Sequence, residues 1–212
     1  MPTQHPWRVA DPEFADFFRE YHRRTSSADY ASADESALRA AASSHLELGW
    51  QRVPGELKLR VFTPTAAADG WSSPHTHVQL VVDDMPFLVD SLTSLLLQRT
   101  RGVIRVTHPI YAIDRSAAGA IEAARAAAGE AGNAESWCEF IVHRLLTPAA
   151  HEELEAELQR VLADVRLVNR DWLAMRGAAE SLASEMRGKQ AGSEIADLLD
   201  WLASNHFTFL GY

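Results

Sequence analysis

This sequence has one cysteine, no surplus of positive charge and no apolar run long enough to span a bilayer. Each absence excludes a class of protein. A lone Cys138 forbids an internal disulfide and fits a reducing compartment. Lys and Arg number 20 against 29 Asp and Glu, giving a net charge of −9. Without a basic stripe, neither nucleic acid nor an anionic membrane surface is an expected partner. A membrane helix needs about 18 consecutive apolar residues, and none is present. The opening Met-Pro-Thr-Gln-His-Pro-Trp has neither the basic nor the apolar region of a secretory signal. Motifs are missing as well: there is no P-loop, no C-x-x-C, no G-x-S-x-G and no G-x-G-x-x-G dinucleotide fingerprint. The expectation is a cytoplasmic chain with no catalytic residues, no metal site and no cofactor of its own.

What is present is the profile of a globular domain, 212 residues with 47% hydrophobic and 23% charged side chains. The chain is organised around His77 to Asp114. Val78, Leu80, Val81 and Val82 make one buried strand, stopped by Asp83-Asp84. Met85-Pro86 is read as a helix start, with an aspartate as N-cap and proline in the first turn. Leu88, Leu92, Leu95 and Leu96 give that helix one apolar stripe, and Gly102 is placed as its C′ residue. Val103 to Ile113 is extended again. Pro109 removes a ladder donor, which implies an edge or a bulge there.

The flanks follow the same logic. Asp11-Pro12 opens a helix with Phe14, Phe17, Phe18 and Tyr21 on one face, ending near Arg24. Asp34 to Leu48 is a second helix, closed by Gly49. The aromatic face needs a surface, either this domain or a partner. Leu57 to Thr63 alternates as a half-buried strand, and Trp137 to Leu145 is another. Ser116 to Ala134, rich in Ala and Gly, reads as a loop. Thr147-Pro148 starts a helix that runs to about Met175 and on toward Met186. A further helix follows Ser193. His206-Phe207-Thr208-Phe209-Leu210-Gly211-Tyr212 reads as a strand too apolar to finish on, so a longer polypeptide is expected.

From residue 77 the order is βαββα, one strand short of a split βαβ sheet. The strand at 57–63 can take the empty slot beside the first. The expected fold is α+β and ferredoxin-like: a four-stranded antiparallel sheet with two helices on one face and a helical N-terminal extension. Residues 1–50 are that extension, 51–176 the main domain, and 177–212 a helical connector and the start of a next domain.

Three motifs resemble one family. Val81-Val82-Asp83-Asp84-Met85-Pro86-Phe87-Leu88-Val89-Asp90-Ser91, then His108-Pro109-Ile110, then Trp201 to Tyr212 are similar, in the same order, to the N-terminal region of the large NAD-specific bacterial glutamate dehydrogenases. The resemblance covers most of residues 50–212. It implies an ACT-like domain, non-catalytic itself, regulating or assembling an enzyme that uses NAD elsewhere. Its partners would be other domains and subunits of that enzyme, in a homo-oligomer, through a sheet edge or the aromatic N-terminal helix.

The resemblance also implies a ligand site. ACT domains commonly bind an amino acid at the elbow after their first strand. Here that is Asp83, Asp84, Met85, Pro86, Phe87 and Leu88: backbone N–H groups at a helix start suit a carboxylate, and the two aspartates suit an ammonium. The bland reading is that the aspartates merely cap the helix. The family's usual Asp-x-Pro-Gly has become Asp84-Met85-Pro86-Phe87, and the large Phe87 favours the alternative, an assembly domain with no ligand. His75-x-His77 with Asp83 and Asp84 is weak as a metal site, because a structural zinc wants four ligands and there is no cysteine pair. His108 reads as a locally satisfied structural histidine.

Overall fold

A computed structural model describes residues 7–23, 30, 34–127, 134–189 and 192–210. The chain divides into two compact units, Met1–Gln159 and Arg160–Tyr212.

The first unit begins with two helices. Helix α1, Pro12–Tyr21, has Asp11 at its N-cap, proline at its start, and Phe14, Phe17, Phe18 and Tyr21 all buried. It stops at Tyr21; Arg24, the expected end, lies outside the described residues, as does most of the polar break after it. Helix α2, Glu35–Gly49, is capped as the sequence predicts: the Asp34 carboxylate accepts from the N–H groups of Ser36 and Ala37, both at 3.3 Å. Gly49 differs from expectation. It is the last helical residue rather than a left-handed cap, and a Cβ there would fall 2.4 Å from Cη2 of Trp137. Glycine is required because the helix lies directly on the indole.

The sheet is built from β1 (Lys58–Phe62), β2 (Thr76–Asp83), β3 (Val103–Thr107), β4 (Ile110–Arg115), β5 (Ile121–Ala126) and β6 (Ala134–Val142). A one-turn α3 (Ala66–Asp69) separates β1 from β2, and α4 (Leu88–Arg99) joins β2 to β3. Every pairing is antiparallel: β1 on β2, β2 on β6, β3 and β4 on β6, and β5 on β4. The fold is the expected α+β, ACT-like arrangement, and β1 fills the slot beside β2.

The sheet has six strands among the described residues, not four. One difference arises at His108-Pro109, which divides the expected single strand. Thr107 faces Glu139 and Ile110 faces Ser136, so both chains advance three residues and no register is lost. Proline donates no ladder bond, yet its carbonyl still accepts from the Trp137 N–H at 3.1 Å. The other difference is β5, from the segment read as a loop. A turn at Ser116–Gly119, with Gly119 at φ +86°, folds it back along the free edge of β4.

Nor do the helices keep to one face. Val81, Tyr111, Ile113, Ile121 and Trp137 pack with the aromatic residues of α1 and with Leu38, Ala42 and Leu46 of α2 in one cluster. Phe17 stacks on Tyr111 with ring centres 5.0 Å apart and meets Trp137 edge-on at 5.4 Å. Each such ring contributes on the order of 2 kcal/mol by burial. Strand alternation sends Val78, Leu80, Val82, Cys138, Phe140 and Val142 to the opposite face, and all are buried. Leu88, Leu92 and Leu96 of α4, and Leu154 and Leu158 of α5 (Pro148–Arg187), are buried too. Thus β2 and β6 are buried almost throughout, and the N-terminal helices form a third layer. The aromatic face of α1 is buried against the sheet and α2.

Helix α5 begins in the first unit and ends in the second. There, a turn at Gly188 leads to α6 (Ser193–Trp201) and a π-helical turn, Leu202–His206. Arg187 pairs with Asp200. Phe207 to Leu210 do not form the expected strand, pairing with no other strand among the described residues; Gly211 and Tyr212 lie outside those residues. Among the described residues, no helix is long and apolar enough to cross a membrane.

Candidate functional site

The elbow is not the capped helix start that the sequence suggests. Helix α4 begins at Leu88, with Phe87 as N-cap and no side-chain cap. Both aspartates are recruited elsewhere. Asp83 Oδ1 accepts from Arg52 Nη2 at 2.5 Å, and its Oδ2 from the Gly55 N–H at 2.8 Å. Asp84 Oδ1 accepts from the Ser136 hydroxyl at 2.5 Å, and its N–H donates to the Ala134 carbonyl. Phe87 adopts φ +67°, the one non-glycine residue with positive φ among those described. A side chain makes that left-handed backbone unfavourable, at a steric cost of about 1–2 kcal/mol. That of Phe87 is 41% exposed.

Ser136 also lies 2.9 Å from Nε2 of His108. Because the hydroxyl donates to Asp84, His108 must donate to the hydroxyl. The order His–Ser–Asp is wrong for an activated nucleophile, where the base takes the serine proton; His108 is structural. His75 is held below its ordinary pKa by burial, then by His143 and His77. Among the described residues no three His, Cys, Asp or Glu side chains gather as for a metal ion. Burial pushes the Cys138 thiol up, so it is not a ready nucleophile.

Behind the elbow is a buried ion network. Glu135 Oε1 accepts from Arg52 Nη1 at 2.9 Å and Arg115 Nε at 2.7 Å; Oε2 accepts from Arg115 Nη2 at 2.8 Å and the Trp137 indole at 3.3 Å. Arg115 also donates to the carbonyls of Gly49, Trp50 and Gly119, and Arg52 to that of Glu56. Every strong group has a partner. The network ties the end of α2, the segment before β1 and the β4–β5 turn to β6.

A second buried carboxylate lies two positions beyond Trp137. The facing pairs place Arg60, Gln79, Glu139 and Thr107 in one row across β1, β2, β6 and β3, with Phe62, His77, Ile141 and Arg105 in the next. His77 Nδ1 donates to Glu139 Oε1 at 3.1 Å, and the Gln79 amide donates to the same oxygen at 2.9 Å. Burial raises the Glu139 pKa, but the bond to His77, its charge and the Gln79 amide outweigh that, and the carboxyl is held low. No local sequence motif marks this row. The signal was there: Glu139 alternates with Trp137 and Ile141 on an inward face of an apolar strand.

Comparison with known proteins places these features. Residues 17–158 match the family model described as glutamate dehydrogenase, ACT1 domain. The chain belongs to this family. The ACT1 match begins at Phe17, midway along α1, and takes in α2 and the sheet. The NAD-specific glutamate dehydrogenase of Halomonas elongata is 34% identical over 170 residues, and that of Pseudomonas aeruginosa 30% over 164. The Mycobacterium tuberculosis protein of the same name is 29% identical over 184 residues. These alignments cover 75%, 73% and 82% of this chain. They cover 10%, 10% and 11% of the relatives, so this ACT1 chain spans about a tenth of their length.

Proposed function

We propose that this chain is a non-catalytic regulatory and assembly domain of a longer, cytoplasmic NAD-dependent glutamate dehydrogenase. The parent enzyme would deaminate L-glutamate oxidatively to 2-oxoglutarate, with NAD held by a distant part of the polypeptide. The observation that carries the proposal is the ACT1 match over residues 17–158, nearly all of the first compact unit. The absence of a dinucleotide fingerprint from the sequence supports it. Neighbouring domains and a second copy of the chain are the proposed partners. The outer edge of β5 past Ile121, which pairs with no other strand among the described residues, is the surface best suited to them.

Amino-acid sensing at Asp83 to Leu88 belongs to this proposal, but one observation favours the second reading, an assembly domain with no ligand at its elbow. Both aspartates already hold internal partners, so clamping an ammonium there means breaking an existing bond. Sedimentation velocity tests assembly: a self-associating species is expected, and a monomer at all concentrations removes that half. Purified chain supplied with NAD and L-glutamate should form no NADH; turnover would overturn the non-catalytic reading.

A further inference from the structure

Each compact unit carries one exposed apolar surface with charge of a single sign around it, and the two signs are opposite. In the second unit, helix α6 buries Ala196 and leaves Ile195, Leu198 and Trp201 each 50% exposed or more. The three recur at every third residue, so they share one side of the helix. A helix that met only water would turn its large apolar side chains inward and its alanine out. The rim of this face is acidic: Ser193 to His206 carries Glu194, Asp197 and Asp200 and no Lys or Arg. Asp200 pairs with Arg187, whereas Glu194 and Asp197 are exposed and enter no ion pair among the described residues.

In the first unit the matching surface is a corner of the sheet. Val142 faces Val103, and a Cβ at Gly102 would lie 3.8 Å from the His143 ring, so the α4–β3 turn adjoins the chain leaving β6. The ladder skips Ile104, which is exposed, as are Leu97 at the end of α4 and Leu146, the last at 86%. Residues 95–108 and 140–150 carry Arg99, Arg101, Arg105 and Arg144 and no Asp or Glu. Arg99 pairs with Glu157; Arg101 and Arg144 are exposed and enter no ion pair among the described residues. Exposed apolar patches rimmed by charge mark interaction surfaces.

We propose that the apolar face of α6 docks on the α4–β3 corner of a second copy of this chain, the two copies exchanging the contact reciprocally. Ile195, Leu198 and Trp201 of one copy cover Leu97, Ile104 and Leu146 of the other, and Glu194 and Asp197 meet Arg101 and Arg144. A second copy is the occupant because every chain carries both halves of the complement. Charge selects this pairing over α6 against α6, which would bring acidic rims together. The donor helix lies beyond residue 158, outside the ACT1 match, so the contact is separate from the β5 edge.

The proposal rests on the assembly reading above and gives it a surface. Sedimentation velocity of the 212-residue chain over a range of concentrations tests it, repeated on Leu198→Gln and Leu146→Gln, with circular dichroism melting to show that both variants are folded. Each variant should raise the dissociation constant of the self-associated species at least about tenfold, since each removes an anchor from both reciprocal contacts. An equimolar mixture of the two keeps one intact contact and should associate more tightly than either alone. Added salt should weaken the parent dimer, because the facing charges are screened. Association lost in Leu198→Gln but kept in Leu146→Gln overturns the corner as the docking surface. Association unchanged in both folded variants overturns this inference alone and leaves assembly through the β5 edge standing. A monomer at all concentrations removes both.

Discussion

Two glutamates stand four residues apart on β6, point to the same face and are both buried, yet their surroundings differ. Glu135 has both oxygens saturated by Arg52, Arg115 and the Trp137 indole. Glu139 has one oxygen shared by His77 and Gln79 and the other open. A fully bonded buried network fixes geometry, and breaking it exposes an uncompensated charge. A partly bonded one constrains its neighbours less. The first glutamate is a staple that holds three loops to the sheet; the second is bonded through one oxygen alone.

The sharpest break of this comparison comes from paired substitutions. Glu135→Gln should destabilise the chain by about 3–5 kcal/mol, because Arg52 and Arg115 stay buried without their counter-charge. Glu139→Gln should cost about 1 kcal/mol or less, since an amide oxygen still accepts from His77 and Gln79. Urea unfolding measures both, and equal losses would erase the distinction. Next in size is acid. The Tyr21 hydroxyl and His45 Nδ1 are 2.7 Å apart, and His45 Nε2 donates to the Leu80 carbonyl at 3.1 Å. Burial lowers the His45 pKa to about 4, and that of His22 likewise to about 4. The unfolded chain takes up these protons near the ordinary value of 6.5 and the folded one does not. Stability is therefore full above pH 6.5 and falls as pH drops toward 4, by up to about 3 kcal/mol for His45. Unfolding curves at pH 7 and 5 should show the fall, and His45→Phe should flatten it.

Gly49→Ala should cost about 1–3 kcal/mol, because the added Cβ meets the Trp137 ring that lies between the two glutamates. A melting temperature equal to that of the parent chain would show that the indole can shift. The smallest effect belongs to the elbow. Phe87→Gly should leave stability within about 0.5 kcal/mol, since relief of the left-handed backbone offsets the entropy glycine adds to the unfolded chain. A large loss on melting would mean that the half-exposed ring packs more than its position suggests.

Much of this architecture was legible locally. The four aromatics of α1, the Asp34 cap and the apolar run of β2 all announce themselves within a turn or a strand, and the order of elements told that β1 would lie beside β2. The family's motifs were legible too. What was hidden depended on partners far along the chain. Asp83 looked like a cap until Arg52 claimed it, 31 residues away, and Asp84 until Ser136 did, 52 residues away. The segment after Ser116 has weak strand propensity and became β5 only because β4 presents an unpaired edge. Gly49 looked like a helix terminator and proved to be clearance for an indole.

The amino-acid order alone determined which segments are helix or strand and which of their faces are apolar, because period and capping are properties of a few neighbouring residues. Only the tertiary structure decided that the N-terminal helices cover the second face of the sheet and that one buried glutamate is bonded throughout while its neighbour is not. Hydrogen-bond satisfaction in a low-dielectric interior depends on groups brought together from distant positions, and no local pattern encodes it.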